Sequence, residues 1–182
     1  MARRNSSVQW GSVARSLHWL VAIGIVALIW LGLAQSELPR GDEKTEIRMI
    51  HGSIALIVLV LMTIRIIWRS INETPAHPPG FPAWQALLAS LVHWGLYVAI
   101  FVQLISGAMT VATTGSGLPF FGLFQIPLPV AESHDAHELW EDIHEPFWWI
   151  IAVLVGIHIL GALYNHFVAK NDVLRRMTTG VR

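Results

Sequence analysis

Apolar residues gather into four long runs along the chain, with polar or proline-rich stretches between them. The runs place spans at about 17–35, 47–68, 86–112 and 147–168, each near the roughly 20 apolar residues that a helix needs to cross a bilayer. After the first run, QSELPRGDEKTE holds Pro39, Gly41 and mixed charge, and reads as a loop. Between the second and third runs, Pro75, Pro78, Pro79, Gly80 and Pro82 argue against a helix. TTGSGLPFFGLFQIPLPV is apolar but punctuated by glycine and proline, which places it at the membrane surface. In the stretch that follows, Ala136, Leu139, Trp140 and Ile143 fall at i, i+3, i+4 and i+7, the spacing of a short amphipathic interfacial helix. Pro146 then suits the first turn of the fourth span, where its missing N–H is not needed. The first sixteen residues read as a flexible start leading into a surface helix or turn, and the basic tail adds a last short helix capped by Asn171 or Asp172. The expected fold is an all-α integral membrane protein, a four-transmembrane-helix bundle with short interfacial helices, residues 1–182 forming one domain.

Composition narrows the partners. With 54% hydrophobic and 13% charged residues the chain is far more apolar than a soluble domain, where about a quarter of residues carry charge, so the lipid bilayer is its surrounding. A net charge of +0 excludes nucleic acid, whose phosphates require a basic surface. The chain has no cysteine, which removes iron–sulfur clusters, thiolate zinc sites and covalent C-x-x-C-H haem attachment together. No small-residue cleavage site follows the first run, so no signal peptide is expected. Arg3, Arg4, Arg15, Arg65, Arg69, Lys170, Arg175, Arg176 and Arg182 lie on one side of a four-span arrangement, against Arg40, Lys44 and Arg48 on the other. Nine against three puts both termini in the cytoplasm. The tryptophans near span ends are explained as interfacial anchors.

The polar residues inside the runs then carry the chemistry. His144 and His158 are fourteen positions apart in HEPFWWIIAVLVGIH, close to four helical turns, so both imidazoles leave one helix face about 21 Å apart along the axis. His51 begins the second span on the side of His144, and His18 begins the first span on the other side, at the depth of His158. Two pairs result, His51 with His144 and His18 with His158, each drawn from two helices. That is the arrangement of bis-histidine axial ligation of two b-type haems in a helical bundle. Isolated interhelical hydrogen bonding explains one buried histidine well but not four paired by depth. Zinc would ask for about four ligands at one level.

The fourteen-step spacing recurs from His51 to Arg65, from His18 to Gly32 and from His93 to Gly107. Glycine at those levels leaves room for a flat macrocycle. Arg15 and Arg48 each precede a ligand candidate by three residues; with Arg65 they are candidates for pairing with haem propionates, although positive-inside charge explains Arg65 equally well. His93 shares the depth of His18 and His158 and is left outside the ligand set, as a substitute ligand, a propionate partner or part of a quinone pocket. Gln103 reads as a helix–helix hydrogen bond, His134 and His137 as a solvated H-x-x-H pair, and His77 and His166 as loop and interface residues.

SLHWL around His18, RMIHGS around His51, VHWGLY around His93, HEPFWWIIAVLVGIH through the fourth span and the tail LYNHFVAKNDVLRRM resemble bacterial cytochrome b561 over nearly the whole chain. The resemblance implies two haem b groups with His18, His51, His144 and His158 as axial ligands to the iron. It implies electron transport across the inner membrane between a periplasmic donor and the quinone pool of the respiratory chain. It also implies, for its best-studied type, a superoxide oxidase delivering electrons to ubiquinone. Glu132, Asp135, Glu138, Glu141, Asp142 and Glu145 precede or begin the fourth span, with no Lys or Arg between Arg69 and Lys170. That acidity opposes an anionic substrate and fits a cationic donor or a protein partner. Two rivals remain: a haem-bearing membrane anchor of a larger respiratory complex without a substrate of its own, and a metal-ion transporter.

Overall fold

The computed structural model describes residues 2–180; Arg182, one of the nine basic residues counted above, lies outside them. Four long helices, α1 (Ser12–Glu37), α2 (Asp42–Ser70), α3 (Ala83–Ala112) and α4 (His134–Phe167), make up most of the chain. Each is long and apolar enough to cross a membrane. Two three-residue strands, β1 (Leu118–Phe120) and β2 (Phe124–Ile126), lie between α3 and α4, and α5 (Val173–Met177) closes the described chain. The outward faces are apolar: Ile23, Val26 and Trp30 on α1, and Val153, Ile157 and Leu160 on α4, are exposed at helical intervals. Such stripes are at home against hydrocarbon, where they need no protein partner.

Helices α1 and α2 pack closely as one pair and α3 and α4 as another, with α2 against α3 joining the pairs. Gly24 permits the first approach, since a Cβ there would stand 2.5 Å from Val58 Cγ2. Val21, Val58, Met62, Tyr97, Ala99, Ile100, Leu104 and Ile151 form the buried cluster. Val58, Ile100 and Ile151 fall halfway along the fourteen-step intervals from His51, His93 and His144. The tight apolar layer therefore occupies the middle of the bundle, and the histidines lie above and below it.

The ends are tied differently. At one, the N-terminal segment, the proline-rich loop and the tail meet: Asn5 Nδ2 donates to the Glu73 carbonyl (2.8 Å), Trp19 Nε1 to that of Met177 (3.0 Å) and Arg176 Nη1 to that of Ala76 (2.6 Å). This places the termini and the loop between α2 and α3 together, as four crossings require. At the other end, the β1–β2 hairpin, antiparallel with Leu118 opposite Ile126, rests on α2. Ser53, fully buried, receives the Phe121 N–H on its hydroxyl (2.8 Å) and donates to the Met49 carbonyl (2.7 Å).

Three expectations need correction. The helix that carries the fourth span begins well before 147: α4 starts at His134, and the expected interfacial helix is its first part rather than a separate element. Pro146 accordingly sits inside α4 rather than in its first turn. Ser133 caps the helix by accepting from the Ala136 N–H (3.3 Å), and Asp135 stands in the first turn, both of which favour an N-terminus there. Pro146 removes only the bond to the Asp142 carbonyl, on an exposed residue whose carbonyl water can satisfy. The glycine-punctuated surface segment is partly ordered as the hairpin, with Phe121 (φ 49°) and Gly122 (φ 72°) at its turn.

Candidate functional site

Each of the four helices brings one or more histidines inward at one of two levels. At the hairpin end, His51 of α2 faces His144 of α4 with ring centroids 6.5 Å apart and planes at 80°. At the termini end, His18 of α1 faces His158 of α4 at 6.0 Å and 62°. Two imidazoles that shared one metal ion between them through bonds of about 2.0 Å would hold their centroids roughly 6.3 Å apart. Both separations are close to that spacing. His93 of α3 lies closer to His158, at 5.2 Å, short of that spacing.

The surroundings of His144 come from α3. In the tautomer with a proton on Nδ1, that N–H donates to the Gln103 carbonyl (3.0 Å), beside the buried Ser106 hydroxyl (3.2 Å from Nδ1). Nε2 is then an unprotonated acceptor, met by the Gln103 side-chain amide nitrogen (3.3 Å). A carbonyl bond on one ring nitrogen is the common way of readying the other as a metal ligand. Gly107 sets the distance: a Cβ there would lie 2.7 Å from His144 Cε1 and 3.0 Å from Nδ1. Gly32 of α1 stands against His51, its would-be Cβ 3.7 Å from Cε1, and His51 Nδ1 is buried without a partner. Both glycines picked out by the spacing thus face the His51/His144 level.

The arginines divide. Arg65 lies on the inner side of α2 within electrostatic reach of His18, His93 and His158. Its Nε donates to the Tyr97 hydroxyl (3.0 Å), and its Nη1 is buried without a partner. Arg15 is buried and gives an Nη1 N–H to the Thr178 carbonyl (2.9 Å), tying α1 to the tail. Arg48 is exposed. Outside the levels, His134 and His137 pair with Glu138 (3.6 Å) and Glu141 (3.8 Å) one turn on, and His137 Nδ1 reaches the Thr110 carbonyl (2.8 Å). Among the described residues no cluster of three or more His, Asp and Glu side chains is arranged to hold a bare metal ion. Ser106 and Tyr97 belong to the site and were not singled out from sequence; each is one polar group in an apolar helix.

Four membrane-length helices with imidazoles facing one another inside them at two depths define a class, the multi-pass membrane helical bundle with inward-facing histidine pairs. Within it, a family model described as prokaryotic cytochrome b561 matches residues 9–180. The chain belongs to that family, whose members use haem b for membrane electron transfer. "Cytochrome b561 homolog 2" of Escherichia coli (strain K12) is 30% identical over 97% of this chain and 95% of its own length. "Cytochrome b561 homolog 1" of the same organism is 29% identical over 88% and 92%. "Probable superoxide oxidase CybB" of Yersinia pestis is 28% identical over 97% of each.

Proposed function

We propose that the chain is a dihaem b-type cytochrome carrying electrons across the bacterial inner membrane between a periplasmic donor and the quinone pool. His51 with His144 and His18 with His158 serve as the two axial pairs. The observation that carries this reading is the pair of ring separations, 6.5 and 6.0 Å, at two levels on α4. Haem iron, when bound, supplies reversible one-electron chemistry. The protein's residues do the rest. The carbonyl of Gln103 orients His144, Gly32 and Gly107 keep the space beside the rings open, and the mid-bundle layer excludes water between the levels. Arg65, with its free buried Nη1, is the best-placed partner for a propionate. Arg15 has already committed one N–H to the tail, and Arg48 would reach a propionate from the surface. His93 lines the termini-side level, where quinone is the membrane-side partner. No general acid, base or nucleophile is needed for this chemistry. The positive-inside bias sets the termini in the cytoplasm and the hairpin end in the periplasm.

The name of the Yersinia relative raises superoxide as a donor. All six carboxylates from Glu132 to Glu145 are exposed, however, and together they repel an anion and attract a cation. The test is the purified chain in quinone-containing vesicles, with its reduced haem spectrum followed after mixing with superoxide or with a reduced, strongly basic redox protein. The basic protein reduces the haem faster, at a rate that falls with added salt, and quinone reoxidises it. Reduced haem that quinone leaves unoxidised would overturn the function. Faster reduction by superoxide would overturn the choice of donor.

A further inference from the structure

Charge is distributed unequally between the two histidine levels. The hairpin end holds Glu37, Asp42, Glu43, Glu46 and the six carboxylates from Glu132 to Glu145, ten of the twelve acidic residues, with three of the twelve basic ones, Arg40, Lys44 and Arg48. The termini end holds Glu73 and Asp172 with eight of the remaining nine bases, the ninth, Arg182, lying outside the described residues. Asp172 is already paired with Arg176 at 2.8 Å, and Glu73 is exposed.

The inward-facing charges repeat the bias at short range. Arg65, fourteen residues along α2 from His51, is within electrostatic reach of His18, His93 and His158. Tyr97, buried on α3, holds its Nε by a hydrogen bond of 3.0 Å. One turn along α2, Arg69 stacks over the rings of Trp94 (5.6 Å) and Tyr97 (5.7 Å). An aromatic seat of this kind stabilises a cation without neutralising it. Near His144 the neighbouring charges are Glu141 and Glu145. Arg48, one turn from His51, points into solvent, where its charge is screened.

We infer that Arg65, positioned by Tyr97 and backed by Arg69, makes the His18/His158 site the higher-potential one of the two, so that electrons run from the hairpin end to the termini end. Reduction adds one negative charge at the iron, and a nearby cation in a low-dielectric interior stabilises that state, while carboxylates oppose it. The step is a single electron: the His51/His144 site is oxidised, the His18/His158 site is reduced, and no atom moves. If Arg65 also pairs with a propionate, its removal uncovers a negative charge at the same place and the effect has the same sign.

The inference rests on the dihaem reading, and the experiment separates the two. The purified chain is titrated spectroelectrochemically, with a His144→Ala protein identifying which transition belongs to the termini-side haem. The transition left in that variant is the higher of the two. Arg65→Gln lowers it by at least a tenfold change in the partition of the electron, about 59 mV for a one-electron couple, and leaves the other in place. Arg65→Lys, which keeps the charge, restores most of the shift, as a merely structural role would not. Arg69→Gln, which acts on His93 but not on His18 or His158, gives a smaller shift of the same sign and serves if Arg65→Gln does not retain its haem. The inference is overturned if the termini-side transition is the lower one, or if neither charge-removing variant moves it. A chain that shows no pair of transitions refutes the dihaem reading itself.

Discussion

Replacing His158 by alanine is expected to take the protein from about two haems per chain to about one, since on the proposed ligation each iron would be held by two imidazoles and would lose one of them. The remaining haem keeps the spectrum and potential of the His51/His144 site, because the apolar layer of Val58, Ile100 and Ile151 lies between the levels. His93 makes this more than a routine substitution. Its ring is 5.2 Å from that of His158, nearer than two imidazoles sharing one iron would stand, which argues against His93 and His158 as a pair. With His158 as the native ligand opposite His18, the His158→Ala/His93→Ala pair loses no more haem than His158→Ala alone. Haem content and optical spectra decide it. If His158→Ala keeps both haems and the double variant loses one, His93 is a competent ligand and the assignment at this level is wrong.

Gly107→Ala strikes the opposite level without replacing a proposed ligand. Its new methyl group would lie 2.7 Å from His144 Cε1 and 3.0 Å from Nδ1, closer than real Cβ atoms come to a ring. The imidazole must turn away from the Gln103 carbonyl or the helices must separate, at a cost of about 1–3 kcal/mol for overpacking. The expected result is selective weakening or loss of the His51/His144 haem, with the His18/His158 haem unchanged. Gly32→Ala is the milder companion, because its Cβ would stand 3.7 Å from His51 Cε1, an ordinary contact. An unaltered haem in Gly107→Ala would mean that the ring is not held where α3 puts it.

The histidine framework was legible because a bilayer-length helix converts sequence spacing into depth. An apolar run fixes direction, fourteen residues fix the vertical interval, and Gly32 and Gly107 follow from the same count. The start of α4 was not legible in this way. Pro146 ahead of an apolar run looks like a helix start, and it is overridden by the Ser133 cap and by twelve residues of amphipathic helix before the proline. The hairpin was hidden because strands of three residues carry too little alternation to register, and what orders them is the buried Ser53, sixty-eight positions from Phe121. The polar fittings were hidden for a related reason. Ser106 and Tyr97 are ordinary residues of an apolar helix until α2 and α4 bring Arg65 and His144 against them. Arg65 itself was placed at the right level by spacing alone, but its bare Nη1, which sets it apart from Arg15 and Arg48, emerges only from packing.

The central claim is that these histidines form two haem sites in one chain. Its most direct measurement is the pyridine haemochrome of the purified protein set against its protein concentration. Two axial pairs predict about two haem b per chain; about one, or a colourless protein, would contradict it.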